Sequence, residues 1–389
     1  MKYAILVSSV LLLLCISIKT SRADALPAEA RKPLHTAQQY IQKERYNEAA
    51  AVLEDYLATA ADPAPPEAYL LLGGAYSHAE KTMQALEICK KGLRNFPENA
   101  MLHHNAGIAA YSLKRYAEAA LHLEKSCTLQ KKPQAALLLQ TGYAYYQAEH
   151  YKDAARVLQL LLDRYTPHQK QWVNLAVHAH LNAGAARKAE EIILSEIGAE
   201  SITPDYLKLL ANIYLEQEKT ASAAAAMELY SRLTTMSAQD FSWLRSLYRY
   251  LNAPLLELHT LSRTGAQAGS PQTALQTAKL YAEAGRALQA VALLQKHAGQ
   301  NALMEQGKIL YNARKFADAR TALQKVTDPD LQQQARFYLA LCAWEQQQWS
   351  SARSSLQQIS RQSPFAAQAR PYLNILDELD KAKELQPSS

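Results

Sequence analysis

Residues able to do chemistry are present in this chain, but their spacing does not gather them into a catalyst. The close histidine pairs are His103-His104 and His178-x-His180. On a helix, offsets of one and two place side chains on different faces, so neither pair converges on a metal ion or a shared proton. The sequence holds no H-E-x-x-H, no G-x-S-x-G, no P-loop and no G-x-G-x-x-G. The patterns that build zinc hydrolases, serine hydrolases and phosphate-cradling turns are therefore missing. Carboxylates such as Glu48, Asp153 and Asp318 fall on charged helix faces, not in facing pairs. No enzyme, metal or cofactor is expected.

Cysteine and charge narrow the classes further. Beyond Cys15, the cysteines are Cys89, Cys127 and Cys342. An odd number with no close spacing is neither a zinc site nor a disulfide framework. They read as buried thiols acting as small hydrophobes, with a Cys89–Cys127 bridge as the alternative. The tight basic clusters are Lys90-Lys91 with Arg94, and Lys131-Lys132. Both read as solvated helix ends or loops, the alternative being a phosphate site. A net charge of +6 over 389 residues is no electrostatic footprint for nucleic acid.

The N-terminus reads as an export leader. Met1-Lys2-Tyr3 precedes an apolar run from Ala4 to Ile18, and Ala23-Asp24-Ala25 follows. A basic start, an apolar centre and an A-x-A ending describe a secretory signal peptide over residues 1–25, cut after Ala25. Two alternatives stay open. Lipid attachment at Cys15 is one, although Leu14 stands where such boxes carry a small residue. An uncleaved anchor is the other, although the apolar run reaches only about 22 Å of a roughly 30 Å bilayer core. Removing the leader lowers the charge to +4, because it carries Lys2, Lys19 and Arg22 against Asp24. An exported, periplasmic protein without a membrane span in its mature chain is expected.

The remaining residues must form elements that position side chains without turn-rich sheets. There are 12 Gly and 15 Pro, against about 27 and 19 at average usage. A periodic pattern explains the scarcity. A small residue is followed twelve positions later by Ala at Ala37/Ala49, Gly73/Ala85, Gly107/Ala119, Gly142/Ala154, Ala211/Ala223, Ala278/Ala290, Gly307/Ala319 and Ala340/Ala352. Tyr often stands three after the first member, at Tyr40, Tyr76, Tyr145, Tyr214 and Tyr281. Four after the second stands an apolar residue, as at Leu53, Cys89, Leu123 and Leu158. Three before the second Ala an aromatic recurs, at Tyr46, Tyr116, Tyr151, Phe316 and Trp349. Offsets of three and four share a helix face. The small residues mark where two antiparallel helices cross closely, and one such pair cannot bury its face alone.

With that spacing the chain resembles the tetratricopeptide repeat family over roughly residues 33–364. The resemblance implies an all-α, right-handed superhelical solenoid of about ten helix pairs of about 34 residues each. Two units depart from the pattern. After Trp172, Leu175 and Ala176, the matching Ala189 arrives thirteen later, and residues 238–266 hold no small/Ala pair at twelve. The reading divides the chain into an N-terminal array over 26–237, a degenerate pair and turn-rich joint over 238–271, and a C-terminal array over 272–364. A capping helix and tail over 365–389 complete it.

In the resembled family, partner segments lie along the first helices of successive units. The residues one after, four after and three before each small slot should form that wall. They include His104 and Tyr111, then Tyr143 and Tyr146, then His180, then Lys208 and Asn212, then Lys308 and Tyr311, then Phe337 and Trp344. Lys208 and Asn212 also match two members of a carboxylate-gripping arrangement of some family members, but Leu244 stands where another Asn is needed. The wall is apolar and aromatic. It suits peptide segments or a helix laid in a groove, while tyrosines that only pack between units are the alternative. The expected role is a scaffold binding protein or peptide segments of envelope complexes, in a TonB-type energy-transduction or outer-membrane assembly system. A polysaccharide-secretion component or carbohydrate-binding module using the aromatic wall is the second expectation.

Overall fold

The structure, a computed structural model, describes residues 26–60, 63–198, 203–263, 270–297 and 299–384. The leader read over 1–25 lies outside the described residues, as do residues 264–269 of the turn-rich stretch and the tail beyond 384. The described residues are all-α and fall into two compact units, up to Gln217 and from Glu218. The irregular stretch 238–271 lies inside the second unit.

The first unit runs α1 (Ala28–Gln42), α2 (Tyr46–Thr59), α3 (Pro66–His78), α4 (Thr82–Asn95), α5 (Ala100–Ser112), α6 (Tyr116–Thr128), α7 (Ala135–Gln147), α8 (Tyr151–Arg164), α9 (Lys170–Asn182), α10 (Ala186–Ile197) and α11 (Pro204–Glu216). The second runs α12 (Thr220–Leu233), α13 (Ala238–Tyr250), α14 (Pro254–Arg263), α15 (Pro271–Glu283), α16 (Ala287–Gln295), α17 (Gln300–Asn312), α18 (Phe316–Leu323), α19 (Pro329–Glu345), α20 (Trp349–Gln357) and α21 (Ala366–Glu384). By chain order odd-numbered helices up to α19 stand in the first-helix position and even-numbered ones in the second; α1–α10 form five pairs within the first unit and α13–α20 four within the second. Within each unit every helix packs on the next, and first helices also touch first helices: α1 with α3, α3 with α5, α15 with α17, α17 with α19. That second set of contacts lines first helices up along one side of each unit.

The crossings explain the small residues. A Cβ added to Gly107 would stand 2.6 Å from Leu123 Cγ, and one on Gly142 would stand 2.6 Å from Leu158 Cγ. Leu158, Leu53, Leu294 and Met227 are fully buried, each worth roughly 1.5–3 kcal/mol of transfer from water. A larger residue at the slot would push that side chain out of its place. An aromatic opens five of the ten second helices, and four of these pack back on the first helix of their pair. Tyr116 meets Tyr111 with ring centroids 5.2 Å apart, Tyr151 meets Tyr146 at 5.3 Å, and Trp349 meets Trp344 at 5.2 Å.

The pairs turn in one manner. Seven residues after the slot the backbone takes positive φ, at Glu44, Glu80, Lys114, Glu149, Gly184, Glu218, Asn252, Gly285, Arg314 and Gln347. The next N–H reaches back over the turn, as from Lys81 to the Tyr76 carbonyl at 2.8 Å. This is the Schellman ending, which satisfies carbonyls that a helix end otherwise leaves open.

The turn fixes the register of both irregular pairs. Gly184 places the fifth slot at Val177, twelve before Ala189, so the thirteen-residue spacing from Ala176 is a misreading by one position. Val177 and Ala189 are both fully buried. Asn252 places the seventh slot at Arg245, twelve before Glu257. Here an ion pair replaces the small contact. Arg245 Nη2 lies 3.2 Å from Glu257 Oε1, Arg249 binds the same oxygen, and the Glu257 side chain is 3% exposed. The degenerate pair is thus a regular helix pair with a charged crossing.

Candidate functional site

The first-helix side of the first unit brings several expected wall residues together. Tyr111 of α5 and Tyr143 of α7 stand with ring centroids 6.0 Å apart, their planes tilted by 40°. Burial first, then the neighbouring Tyr143, pushes the Tyr111 phenol well above its usual range. His104 of α5 donates from Nε2 to Gln140 Oε1 of α7 at 3.3 Å, and burial lowers the affinity of its ring for a second proton. Asn182 of α9 donates to the Tyr146 hydroxyl of α7 at 3.0 Å. Successive first helices are therefore linked by polar contacts, from half-buried His104 to buried Gln140 and from exposed Asn182 to half-buried Tyr146. Tyr143 is 7% exposed and mostly packing, whereas His104, Tyr111 and Tyr146 keep part of their surface open.

His180 departs from that row. With the slot at Val177, it occupies the position three after the slot, where other pairs carry Tyr. Those tyrosines are stapled to the preceding second helix: Tyr76 to Glu54, Tyr145 to Glu124, and Tyr248 to Glu228 at 3.1 Å. At the fifth pair His180 stands in the tyrosine's place without a staple, and with Gln159 it lines a cavity of about 540 Å³. Arg156, Gln159 and Asp163 of α8 line it with Lys188, Glu191, Ile192 and Ser195 of α10. The buried Nε2 of His180 has no hydrogen-bond partner. His180 thus faces second helices.

At the end of the first unit Lys208 is half-buried and Asn212 exposed, and Asn212 donates to the Lys208 carbonyl at 3.3 Å. In the second unit Lys308 is tied to Glu305 at 3.1 Å, and Tyr311 packs on Phe316 and Tyr338. Phe337 and Trp344 lie under the last helix. Both rings meet Tyr372 of α21, at 6.2 and 5.0 Å. Helix α21 covers both helices of the last pair through Leu376 and Ala369, and Arg353 holds it by Asp377 and Asp380. These two aromatics serve the cap.

Among the described residues no three His, Cys, Asp or Glu side chains gather as a metal-binding group, and no helix is long and apolar enough to cross a membrane. Cys89, Cys127 and Cys342 are buried and not in disulfides. Burial pushes the Cys342 thiol up to about 11, so it is not a ready nucleophile.

Antiparallel helix pairs with a close small-residue crossing and first helices aligned along one side define a helical-repeat protein. Residues 36–100, 79–136 and 304–370 match the tetratricopeptide repeat family. The chain is a tetratricopeptide repeat protein. The sequence matches none of the curated proteins with which it was compared. Solved structures similar to it include a tetratricopeptide repeat protein from Parabacteroides merdae, 15% identical, covering 65% of this chain and 99% of its own at a TM-score of 0.37. MamA of Desulfovibrio magneticus is 18% identical over 45% of this chain and 99% of its own, at 0.37. The pilF protein of Pseudomonas aeruginosa is 19% identical over 55% and 96%, at 0.34. At such TM-scores these likenesses carry no argument about partners.

Proposed function

We propose that this protein is a non-enzymatic scaffold exported to the cell envelope, which holds segments of partner proteins along its first helices. The observation that carries the reading is the row His104–Gln140, Tyr111–Tyr143 and Tyr146–Asn182, which aligns amphipathic side chains on consecutive first helices. Aromatic rings with a polar tip offer area at small entropy cost and one directional hydrogen bond each. That combination suits an extended or helical peptide laid across the helices. The leader pattern read over residues 1–25 supports an envelope role, in outer-membrane assembly or TonB-type energy transduction.

The test is capture of partners in the native envelope by a Tyr111→Ala/Tyr146→Ala variant, read beside its thermal stability. The reading expects capture to fall severalfold while the variant still melts cooperatively. Capture unchanged in a destabilised variant would show that the rings only pack. Chemical-shift titration with unstructured peptides and with oligosaccharides decides the ligand class. Shifts of the wall tyrosines by sugars alone would replace the peptide reading with carbohydrate binding.

A further inference from the structure

Away from the wall, the second helices α4 and α6 frame a groove of about 400 Å³ lined by Lys90, Leu93, Arg94, Pro97, His103, His122 and Lys125. We propose that this groove is an oxyanion site, taking a phosphate or sulfate group against Arg94, Lys125 and the His103–His122 pair.

The electrostatics are one-sided. Lys90, Arg94 and Lys125 contribute three positive charges to the lining and no carboxylate does. Lys90 is neutralised by Glu118 of α6, but no carboxylate among the described residues stands within ion-pair distance of Arg94 or Lys125. A concave, partly desolvated patch of one sign concentrates counter-ions. Charge-assisted hydrogen bonds from Arg and Lys are the ordinary grip on such groups. In sequence only Lys90-Lys91 and Arg94 are neighbours. The fold adds Lys125 and both histidines from the next pair.

The histidine pair supplies a donor that responds to the anion. His103 Nε2 lies 3.0 Å from the Pro97 carbonyl, and His103 Nδ1 lies 3.0 Å from His122 Nδ1. A carbonyl only accepts, so His103 donates from Nε2 and its Nδ1 accepts from His122 Nδ1–H. The Nε2 of His122 is then a bare lone pair. One added proton goes there and makes it a donor without breaking the link between the rings. Burial, then His103 and Lys90, disfavour that proton, and Glu118 favours it. A bound anion beside Lys125 and Arg94 tips the balance, so binding and proton uptake are coupled.

The experiment records the ring signals of His103 and His122 by NMR in the full chain. Inorganic phosphate is the probe at one pH. Sulfate, whose charge is constant, serves for a pH series, with chloride at matched ionic strength as reference. Both oxyanions are expected to shift the His122 ring, and sulfate should weaken by up to about tenfold per pH unit once the pH passes the point where His122 gives up its added proton. The surface variant Arg94→Gln/Lys125→Gln should lose the shifts. His122→Gln should still bind sulfate, but with an affinity flat in pH. Signals indifferent to both oxyanions, or shifts retained in the Arg94→Gln/Lys125→Gln variant, would overturn the site. A pH series unchanged in His122→Gln would overturn the proton coupling.

Discussion

Whether a glycine in these helices spaces them or merely loosens them depends on what faces its missing Cβ. Gly107 faces Leu123, itself 1% exposed, whereas nothing lies within 4 Å of a Cβ placed on Gly74 in α3. Gly107→Ala gains about 1 kcal/mol of helix propensity but overpacks by about 1–3 kcal/mol, so it should destabilise. Gly74→Ala keeps only the gain and should stabilise by about 0.5–1 kcal/mol. Urea unfolding of both variants checks the contrast; equal signs would refute it. The tyrosine staples carry a pH signature. Burial first, then Glu54, raises the Tyr76 phenol to about 12, and burial with Glu228 does the same for Tyr248. A phenol with a folded pKa above its unfolded value of about 10 adds stability below that value and loses it as pH rises towards 12. Melting temperature should therefore fall between about pH 10 and 12, and less steeply in Tyr76→Phe/Tyr248→Phe. Identical alkaline losses in parent and variant would contradict the staple account.

Among elements, the α13–α14 pair offers the sharpest test, because its charged crossing stands where the other pairs keep small or apolar residues. Glu257→Ala leaves the half-buried Arg245 beside an alanine, with a buried Nε that already lacks a hydrogen-bond partner. Breaking a fully buried pair from one side costs about 3–5 kcal/mol, and the part-exposed arginines left here bring the expected loss to about 1–3 kcal/mol. Arg245→Ala/Glu257→Ala restores the small/Ala crossing and should recover most of that loss, giving a large coupling in a double-mutant cycle. Additive losses would show that the crossing does not depend on the pair. The same element marks the limit of what was legible beforehand. Eight crossings could be read because Gly or Ala can only mean close approach at that spacing. Val177 and Arg245/Glu257 could not, since their partnership exists only once the helices are docked. Eight of the ten turn positions also escaped, because Glu, Lys, Arg, Gln or Asn fills a conformation usually marked by Gly. The one-residue slip from Val177 to Ala176 had set His180 on the wall. Gln140 and Asn182 went unseen because their role is set by a neighbour about 36 residues away. Phe337 and Trp344 were displaced from the wall by a helix that only the fold places over them.

At the scale of the whole molecule, a chain of like pairs trades one deep pocket for length of surface, and that surface has two characters. First helices in the first unit present linked aromatic and amide side chains, with His104, Tyr111 and Tyr146 half-buried and Asn182 exposed. Second helices present charges, the oxyanion groove and isolated apolar residues such as Leu121, which is 64% exposed. The central claim is that partners use the former. Placing a photo-crosslinking residue at Tyr146 or Asn212, and in a separate variant at Leu121, then irradiating the native envelope, measures it directly. The account predicts discrete adducts from Tyr146 and Asn212 and none from Leu121. Adducts from Leu121 alone would contradict it.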